Sequence, residues 1–221
     1  MRIATWNIEW LKHKMYADKI YERINEVGAD ILVLTETDSR ISPNYKYCFS
    51  TSLLAETQPD YYGDTENRVS IFSNFPCVRK YDTFDNRTAI CVELDTSMGL
   101  LLVYGTIIGI FGNREKSFMS DLEMQMKDVS RLTAEGKPFC IIGDYNLTFG
   151  DNYYYTKAGR EAVNNTFMDC GLKLVTRDRA ECIDHIALSE SFIAGGIVTV
   201  DEWNYDKALS DHKGIVADIR R

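Results

Sequence analysis

Short apolar runs, and stretches in which apolar and polar residues alternate, recur along the whole chain. They are rich in Val, Ile, Leu and aromatic side chains and end at polar residues, which is typical of β-strands. The predicted strands cover residues 2–8, 31–35, 69–73, 88–94, 100–106, 139–143, 184–188 and 214–219. The pattern therefore predicts a fold rich in short strands.

Apolar residues spaced three and four apart predict helices between these strands. Ile20, Ile24 and Val27 follow this spacing in the first of them. The predicted helices cover residues 17–27, 115–134 and 157–169. Most connections between successive strands are too short to hold a crossover helix, which favours antiparallel pairing. The pattern predicts an α+β fold of layered, mostly antiparallel sheets covered by helices, rather than a doubly wound fold.

The composition is that of a globular domain. Hydrophobic residues make up 45% and aromatic residues 12% of the 221 residues, which is enough for a sizeable core and argues against disorder. Four prolines and fourteen glycines are spread thinly, and no linker, repeat or low-complexity segment interrupts the chain. A single domain over residues 1–221 is expected.

The formal net charge is −8, from 25 Lys+Arg and 33 Asp+Glu. This excess of acid argues against a broad basic face for nucleic acid, because Lys and Arg supply most non-specific affinity for phosphates. It does not argue against a metal-assisted phosphate enzyme, which needs carboxylates for the cation.

Neither a signal peptide nor a membrane span is expected. Asn7 and Glu9 interrupt the first apolar run, and no 18-residue apolar stretch follows. The six cysteines form no C-x-x-C pair and no Cys/His pair at metal spacing, which favours buried thiols in a reducing compartment. The sequence therefore predicts a soluble cytoplasmic protein with no obligate protein partner.

Polar residues end the first two predicted strands. Asn7 lies on the face of the first strand opposite to Trp6 and Ile8, and its alternative role is that of a turn residue. Glu36 follows the apolar run 31–34 and Thr35. A carboxylate at the end of a buried strand is a good Mg²⁺ ligand, although Glu36 could merely mark where the chain leaves the core.

A third strand end carries a carboxylate and an amide. The strand 139–143 ends at Gly143, and Asp144 and Asn146 follow two residues apart, on the same side if the chain stays extended. Such a pair can orient a water molecule or hold a phosphate oxygen. A plain turn is the alternative.

Two of the three histidines directly follow an aspartate. Because adjacent strand residues face opposite ways, we expect Asp184 to orient His212 across strands rather than its neighbour His185. His212 is then available as a general base. His185 is interpreted as a hydrogen-bonded, partly buried structural residue, and His13 as a solvated one.

The order of these motifs resembles the endonuclease/exonuclease/phosphatase superfamily, the deoxyribonuclease I-like fold, and in particular its bacterial members. The likeness covers essentially the whole chain. The motifs that carry it are Thr5-Trp6-Asn7-Ile8, Leu34-Thr35-Glu36-Thr37, Gly143-Asp144-Tyr145-Asn146, Ile183-Asp184-His185-Ile186 and Ser210-Asp211-His212. The resemblance implies a four-layered α/β/β/α sandwich with two mostly antiparallel sheets face to face, helices outside, and a site at one end.

The resemblance also implies hydrolysis of a phosphate ester with a divalent cation, usually Mg²⁺, for which Mn²⁺ is a possible substitute. Glu36 would be the principal metal ligand, and Asn7 and Asp211 would complete or flank the metal site. Asp144 and Asn146 would position the attacking water and the scissile phosphate.

Two further roles follow from the same resemblance. His212, oriented by Asp184, would be the general base or a phosphate contact. Arg87 would supply charge to a phosphate oxygen, and a surface arginine is its equal alternative.

The chain departs from the family pattern at one position. Many members have a histidine where Ile107 stands here, and isoleucine cannot donate a proton. Other members use a tyrosine earlier in the strand, which makes Tyr104 a candidate leaving-group acid or phosphate ligand, with a packed strand tyrosine as the alternative. Activation of the leaving group therefore stays open, and the substrate with it.

Three functions are compatible with the sequence. The favoured one is a Mg²⁺-dependent phosphodiesterase or nuclease that acts on nucleic acid or a nucleotide-like diester. The second is a phosphomonoesterase or a lipid or inositol phosphate phosphatase of the same fold, since small anionic substrates need a local pocket and no basic groove. The third is a binding protein that has lost catalysis, suggested by Ile107.

Overall fold

A computed structural model describes residues 1–12 and 14–221, so His13 and its predicted exposure lie outside the described residues. The strands are β1 (Arg2–Asn7), β2 (Ile31–Asp38), β3 (Tyr47–Ser50), β4 (Glu66–Ser73), β5 (Cys77–Tyr81), β6 (Ala89–Thr96), β7 (Gly99–Ile107), β8 (Phe139–Asp144), β9 (Leu172–Leu174), β10 (Asp184–Ser189), β11 (Ile197–Trp203) and β12 (Gly214–Arg220). The α-helices are α1 (Ala17–Val27), α2 (Phe118–Thr133), α3 (Lys157–Asp169) and the short α4 (Glu190–Ile193). Three short 3₁₀ helices, at Glu9–Leu11, Lys14–Tyr16 and Leu54–Glu56, complete the described elements.

The strands of the described residues form two mixed six-stranded sheets. Their orders are β11-β12-β1-β2-β4-β3 and β5-β6-β7-β8-β10-β9. Among the described strands each sheet has one parallel pair, β1 with β2 and β7 with β8, and the other neighbours are antiparallel. Both parallel pairs are successive strands joined by a helix, α1 or α2, as a crossover requires. The predicted α+β sandwich is confirmed.

Side-chain alternation along the strands creates three apolar layers. In β1, Ile3 faces the other sheet, whereas Ala4 and Trp6 pack on the side of α1. In β8, Ile142 faces the other sheet and Ile141 packs on the side of α2 and α3. The order of layers is therefore helix, sheet, sheet, helices.

The strands that the sequence pattern missed are the edges of the two sheets. They are β3 and β11 in one sheet and β5 and β9 in the other. The side chains of β3, β5 and β11 are largely exposed or half-buried, so these strands lack the apolar run that marks an interior strand. Strand β9 has only three residues, too few to show a pattern. Predicted helix 115–134 begins at Phe118 instead, and predicted helices 17–27 and 157–169 have the observed bounds.

The core between the sheets ends in polar side chains at one end of the sandwich. The inward-facing row of β8 runs Cys140, Ile142, Asp144, and that of β1 ends at Asn7. Asp184, directly opposite Asp144 in the register of β10 with β8, begins the inward row of β10. Rigid strands thus deliver three polar side chains to the same place.

Gly143 permits the close approach of β7 and β8 just before Asp144. Its φ is +139°, and a Cβ atom there would lie 1.9 Å from the carbonyl oxygen of Thr106. Any side chain at this position would push β8 away from β7, and Asp144 with it. The glycine is therefore a requirement of the site's geometry.

None of the helices in the described part of the chain is long and apolar enough to cross a membrane. All six cysteines lie within the described residues and are free thiols. Cys91, Cys140 and Cys182 are buried, and burial raises the pKa of each thiol. These three behave as small apolar residues in the core.

His185 is a structural residue on the helix-facing side of β10. Its ring is fully buried, with Nδ1 2.8 Å from Thr176 Oγ1 and Nε2 2.8 Å from the carbonyl oxygen of Leu147. The rings of Tyr145 and Phe149 pack against it. Its interpretation as a hydrogen-bonded structural histidine is confirmed, and burial is complete rather than partial.

Burial lowers the pKa of His185 to about 4, against an ordinary value of 6.5. Between these values the unfolded chain binds a proton that the folded chain does not, so acidification lowers the free energy of unfolding. From pH 7 to pH 4.5 this loss is about 2 kcal/mol. We expect His185→Gln to remove this loss. Between pH 7 and pH 4.5, the free energy of unfolding measured in urea should then fall by about 2 kcal/mol less in the variant than in wild type. Equal pH slopes in the two proteins would contradict this.

Candidate active site

Asn7 is the centre of the polar cluster at the end of β1. Its Nδ2 donates to Asp144 Oδ2 at 3.3 Å, and its side chain also forms a hydrogen bond with Glu36. Its Oδ1 accepts the backbone N–H of Glu9 at 3.0 Å. Asn7 therefore presents its nitrogen, not its oxygen, to the two carboxylates and holds them at a fixed spacing. A cation held by these carboxylates would therefore have Asn7 beside it and not among its oxygen ligands.

Glu36 adopts a left-handed backbone conformation inside β2, with φ +45°. The pairs Thr35↔Val69 and Thr37↔Asn67 on either side keep one register, so the strand continues through this residue. Simple alternation would place Glu36 on the side of Leu32 and Leu34, yet its carboxylate reaches Asn7. A non-glycine residue in this region is strained, and such strain clusters at functional sites.

The environment of Glu36 disfavours its charged form. Burial raises the pKa of its carboxyl above the usual range, and the charges of His212 and Lys12 together with the hydrogen bond from Asn7 offset this only in part. The carboxylate therefore lacks full compensation from the protein. A cation beside it would supply that compensation.

Asp144 and Asp184 are direct neighbours across β8 and β10, and both are almost completely buried. Burial raises the pKa of Asp144 and the charge of Asp184 adds to this, while His212 opposes it. Asp184 Oδ2 lies 2.6 Å from His212 Nδ1. Its Oδ1 is buried and has no hydrogen-bond partner among the described residues. Two carboxylates and one imidazole thus share a site that excludes most water.

His212 is held with Nδ1 toward Asp184, so the N–H at Nδ1 donates and Nε2 faces the site. Nε2 lies 3.5 Å from Asp211 Oδ1. Burial on its own would lower the pKa of His212, but the charges of Asp184 and Asp144 and the hydrogen bond to Asp184 raise it to about 10. The protonated ring can donate to a phosphate oxygen, and the neutral ring can accept a proton from water.

The loop that carries His212 is fixed by backbone contacts. The carbonyl oxygen of His212 accepts from Trp6 Nε1 at 3.1 Å and from Asn204 Nδ2 at 2.7 Å. Asn204 also donates to Ser210 O at 2.7 Å and accepts from Leu209 N–H at 3.1 Å. These bonds leave the imidazole little freedom to move away from Asp184.

Ser210 and Glu9 connect this loop to β1. Ser210 Oγ donates to the carbonyl oxygen of Asn7 at 2.7 Å, and Glu9 Oε2 accepts the backbone N–H of Asp211 at 2.9 Å. The side chain of Asp211 is 70% exposed. Asp211 therefore lies at the mouth of the site, unlike the buried carboxylates.

Asn146, two residues after Asp144, has a backbone φ of +51°, so the chain does not stay extended here. Its backbone N–H donates to Asp144 Oδ1 at 2.8 Å, and its Nδ2 donates to the carbonyl oxygens of Ile108 and Gly109 at 3.1 and 3.2 Å. The amide donors are therefore used to position Asp144 and the loop after β7. The side-chain oxygen of Asn146 is the atom left to face a ligand.

The structure does not bring Tyr104 into the site. The residue is fully buried on the helix-facing side of β7, and its Oη donates to Asp128 Oδ2 on α2 at 3.2 Å. Burial raises the pKa of Tyr104 well above its ordinary value. The prediction that Tyr104 is a leaving-group acid or phosphate ligand is wrong, because strand alternation points it away from the sheet interface.

Arg87 also lies outside the cavity that His212 lines. It is half-exposed, and its Nε donates to Asp85 Oδ1 at 3.2 Å. It borders a separate polar groove of about 780 Å³. The structure thus agrees with the surface-arginine alternative for Arg87.

Ile107 ends the inward row of β7, directly beside Asp144 in the register of β7 with β8. It is buried in the core between the sheets. No proton donor is therefore supplied at this position.

A family model described as "Endonuclease/Exonuclease/phosphatase family" matches residues 4–212 of the chain. The chain belongs to this family. Members of it are hydrolases that act on phosphoester bonds. No curated protein matches the chain.

Solved structures of this family share the fold. A 3′–5′ exonuclease from Neisseria meningitidis has a TM-score of 0.74 at 17% identity, with 100% of each chain covered. A Neisseria 3′ phosphatase bound to a product DNA hairpin has a TM-score of 0.73 at 17% identity, again with 100% of each chain covered. An endonuclease/exonuclease/phosphatase from Beutenbergia cavernae has a TM-score of 0.70 at 16% identity, over 100% of this chain and 71% of the other.

The donor set of this family member fits Mg²⁺. Magnesium prefers oxygen ligands, keeps several waters, and is usually bound by one or two carboxylates together with substrate phosphates. Within the described residues no group of three or more His, Cys, Asp or Glu side chains is arranged to enclose a metal ion. The poorly compensated Glu36 carboxylate and the orphaned Oδ1 of Asp184 match such an open site. Glu36 would hold the ion, which polarises phosphate oxygens when bound.

Sequence reasoning missed several residues that support the site: Trp6, Glu9, Asn204 and Ser210. Trp6 and Ser210 lie inside quoted motifs, but their contacts with the His212 loop are tertiary. Asn204 lies in no motif, and its left-handed backbone, φ +57°, is not visible in the sequence.

Proposed function

We propose that this family member is a Mg²⁺-dependent phosphodiesterase that hydrolyses nucleic acid or a nucleotide-like diester, with Mn²⁺ as a possible substitute metal. Membership of the endonuclease/exonuclease/phosphatase family supports phosphoester hydrolysis. The DNA-bound Neisseria 3′ phosphatase of the same fold is consistent with a nucleic-acid substrate.

The observation that carries the proposal is the convergence of three carboxylates and one imidazole around Asn7. Asn7 bonds both Glu36 and Asp144, and Asp184 bonds His212 at 2.6 Å. In-line displacement at phosphorus develops charge on the equatorial and leaving oxygens, so fixed donors and a cation supply most of the stabilisation. No covalent intermediate is needed.

Each residue has a distinct part in this proposal. Glu36 holds the cation, with Asn7 and Asp211 flanking it. Asp144 positions the attacking water, and Asn146 lines the cavity beside His212. His212 contacts the phosphate when protonated or takes a proton from water when neutral, and Asp184 fixes its tautomer.

The proposal predicts metal-dependent cleavage of diesters. Purified protein should hydrolyse thymidine 5′-(p-nitrophenyl phosphate) and a fluorescent single-stranded oligonucleotide with Mg²⁺ or Mn²⁺, and lose at least 99% of that activity in EDTA. Refilling with Mg²⁺ should restore it. Asp144→Ala, purified identically, controls for contaminating nucleases, and Asp60→Ala at an exposed turn controls for loss of charge alone.

Two results would contradict this proposal. Release of inorganic phosphate from monoesters, with no cleavage of either diester, would select the phosphomonoesterase alternative. No turnover of any ester, together with no Mg²⁺ or Mn²⁺ binding in calorimetry, would select a binding protein.

A further inference from the structure

A cavity of about 260 Å³ opens beside His212. Asn146, Asp184 and His212 form its catalytic side, and Tyr153 and Lys207 form part of the wall beyond them. Neither Tyr153 nor Lys207 has a part in the chemistry proposed above. Their position next to the reacting groups is that of a substrate subsite.

The two lysines of this cavity differ in how far they are neutralised. Lys213 is 12% exposed, lies 3.3 Å from Glu202 Oε2, and donates to the carbonyl oxygen of Ala180 at 2.8 Å. Lys207 has no carboxylate within ion-pair distance in the described ranges, and its Nζ lies 3.5 Å from Tyr153 Oη. The ammonium of Lys207 is therefore the one available to an anion.

Tyr153 presents its ring to solvent at the rim, with 55% of the residue exposed. Its backbone N–H donates to Asp151 Oδ1 at 3.0 Å, and Arg160 binds the carbonyl oxygens of Thr148 and Asp151 in the same loop. Lys207 Nζ lies over one face of the Tyr153 ring, 5.1 Å from its centroid, so a base would stack on the opposite face. An exposed ring on a braced loop is a platform for stacking.

The spacing between Lys207 and His212 is fixed by the same asparagine that holds the catalytic loop. Asn204 and Lys207 both have left-handed backbones, with φ +57° and +53°, and Lys207 N–H donates to Asn204 O at 3.0 Å. Asn204 Nδ2 in turn donates to His212 O at 2.7 Å. Lys207 is therefore placed relative to the imidazole by two hydrogen bonds.

We propose that Tyr153 and Lys207 form a nucleotide subsite, in which the ring stacks on the base next to the scissile phosphate and the ammonium contacts the adjoining phosphate. This inference rests on the proposed phosphodiesterase function and names its substrate class. A planar base suits the exposed ring, whereas an inositol or lipid headgroup offers no face to stack. The carboxylates of Glu181 and Asp211 also line the cavity, so one local cation, not a basic tract, receives the phosphate.

The test compares two substrates with the same reacting centre. Thymidine p-nitrophenyl phosphate, as its 3′ and 5′ esters, carries a base, and methyl p-nitrophenyl phosphate does not. The preference is the ratio of kcat/KM for the better thymidine ester to kcat/KM for the methyl ester. In Tyr153→Ala this ratio should fall about tenfold to a hundredfold, because KM for the thymidine ester rises while kcat stays unchanged. Tyr153→Phe should retain the wild-type ratio. Tyr61→Ala, which removes an exposed tyrosine ring outside the cavity lining, is the matched control.

Lys207 is tested by salt dependence on a single-stranded oligonucleotide. Lys207→Met should raise KM and reduce the slope of log kcat/KM against log salt by about one, because one phosphate contact is lost. Lys157→Met, with a side chain 86% exposed on α3, should leave the slope unchanged.

The outcomes separate this inference from the proposed function. An unchanged preference in Tyr153→Ala would overturn the subsite. This includes the case in which kcat/KM falls equally for the thymidine ester and the methyl ester. If the wild-type protein hydrolysed neither diester, the proposed function would fail, and calorimetry with thymidine 5′-monophosphate in EDTA would test the subsite directly. Binding that Tyr153→Ala weakens at least tenfold supports it, and binding unaffected by that substitution overturns it.

Discussion

Replacing His212 by alanine is expected to lower kcat by about a thousandfold or more, with little change in KM. The imidazole is the group that can either donate to the phosphate or accept a proton from water, and no other described histidine lies in this cavity. Its loss also leaves Asp184 and Asp144 facing each other without the cation that offsets them. Steady-state kinetics on the thymidine ester at saturating Mg²⁺ measures the effect.

Asp184 acts through His212, so the two substitutions should not add. Asp184→Asn keeps the shape but removes the negative charge that faces the N–H at Nδ1 and allows an amide NH2 to face the ring instead, which would favour the other tautomer, and it is expected to cost about a hundredfold to a thousandfold in kcat. The double variant should be no slower than His212→Ala within about threefold. Multiplicative effects in the double-mutant cycle would show that Asp184 does not work through His212.

These rates can be compared only if each variant has a circular dichroism spectrum and a urea unfolding curve close to those of wild type. His185→Gln serves as the matched histidine control, because His185 lies on the other face of β10 and bonds Thr176 and Leu147. Its kcat should stay within about twofold of wild type at pH 7.5. Activity above one tenth of wild type in His212→Ala would refute the assignment of His212.

Glu36→Gln is expected to reduce kcat/KM by about a hundredfold to a thousandfold and to raise the Mg²⁺ concentration for half-maximal activity at least tenfold. An amide keeps the size of the side chain but removes the charge that attracts the cation. Because burial raises the pKa of Glu36, the charged carboxylate is unfavourable in the folded protein without metal. The variant should therefore be as stable as wild type in EDTA, or more stable.

Calorimetric titration with Mg²⁺, activity at a series of Mg²⁺ concentrations and the Tm in EDTA together test this expectation. Glu123→Gln, on the exposed face of α2, is the matched control and should behave as wild type. An unchanged Mg²⁺ midpoint in Glu36→Gln would place the cation elsewhere. A lower Tm in EDTA would instead assign Glu36 a structural role.

Interior elements of this fold could be predicted because their patterns are local. Strand β8 is apolar throughout up to Gly143, and α1 repeats apolar residues at three and four, so burial of one or both faces is visible in the residues themselves. The edge strands carry no such pattern. The residues of β5 are stabilised by pairing with β6 rather than by burial, and pairing is not local in the sequence.

The candidate site residues also divide into those that a local pattern predicts and those that depend on the tertiary structure. Asn7 and Asp144 end the inward-facing rows of their strands and Asp184 begins that of the antiparallel β10, so strand alternation is sufficient to place all three at one end. The sequence left Tyr104 as a candidate, because which side of β7 faces the helices, the side that Tyr104 shares with Leu102, is known only from the structure. The departure was Glu36, whose left-handed backbone reverses the side expected from alternation.

By itself, the sequence determined the class of fold, the interior strands, and the polar residues at their ends, because each depends on neighbours one to four positions away. Only the tertiary structure decided the edges of the sheets, the inward turn of Glu36, the amide orientation of Asn7, and the support of the His212 loop by Asn204 and Trp6. These features depend on groups far apart in the chain, such as Trp6 and His212, and on backbone conformations that several residue types can adopt.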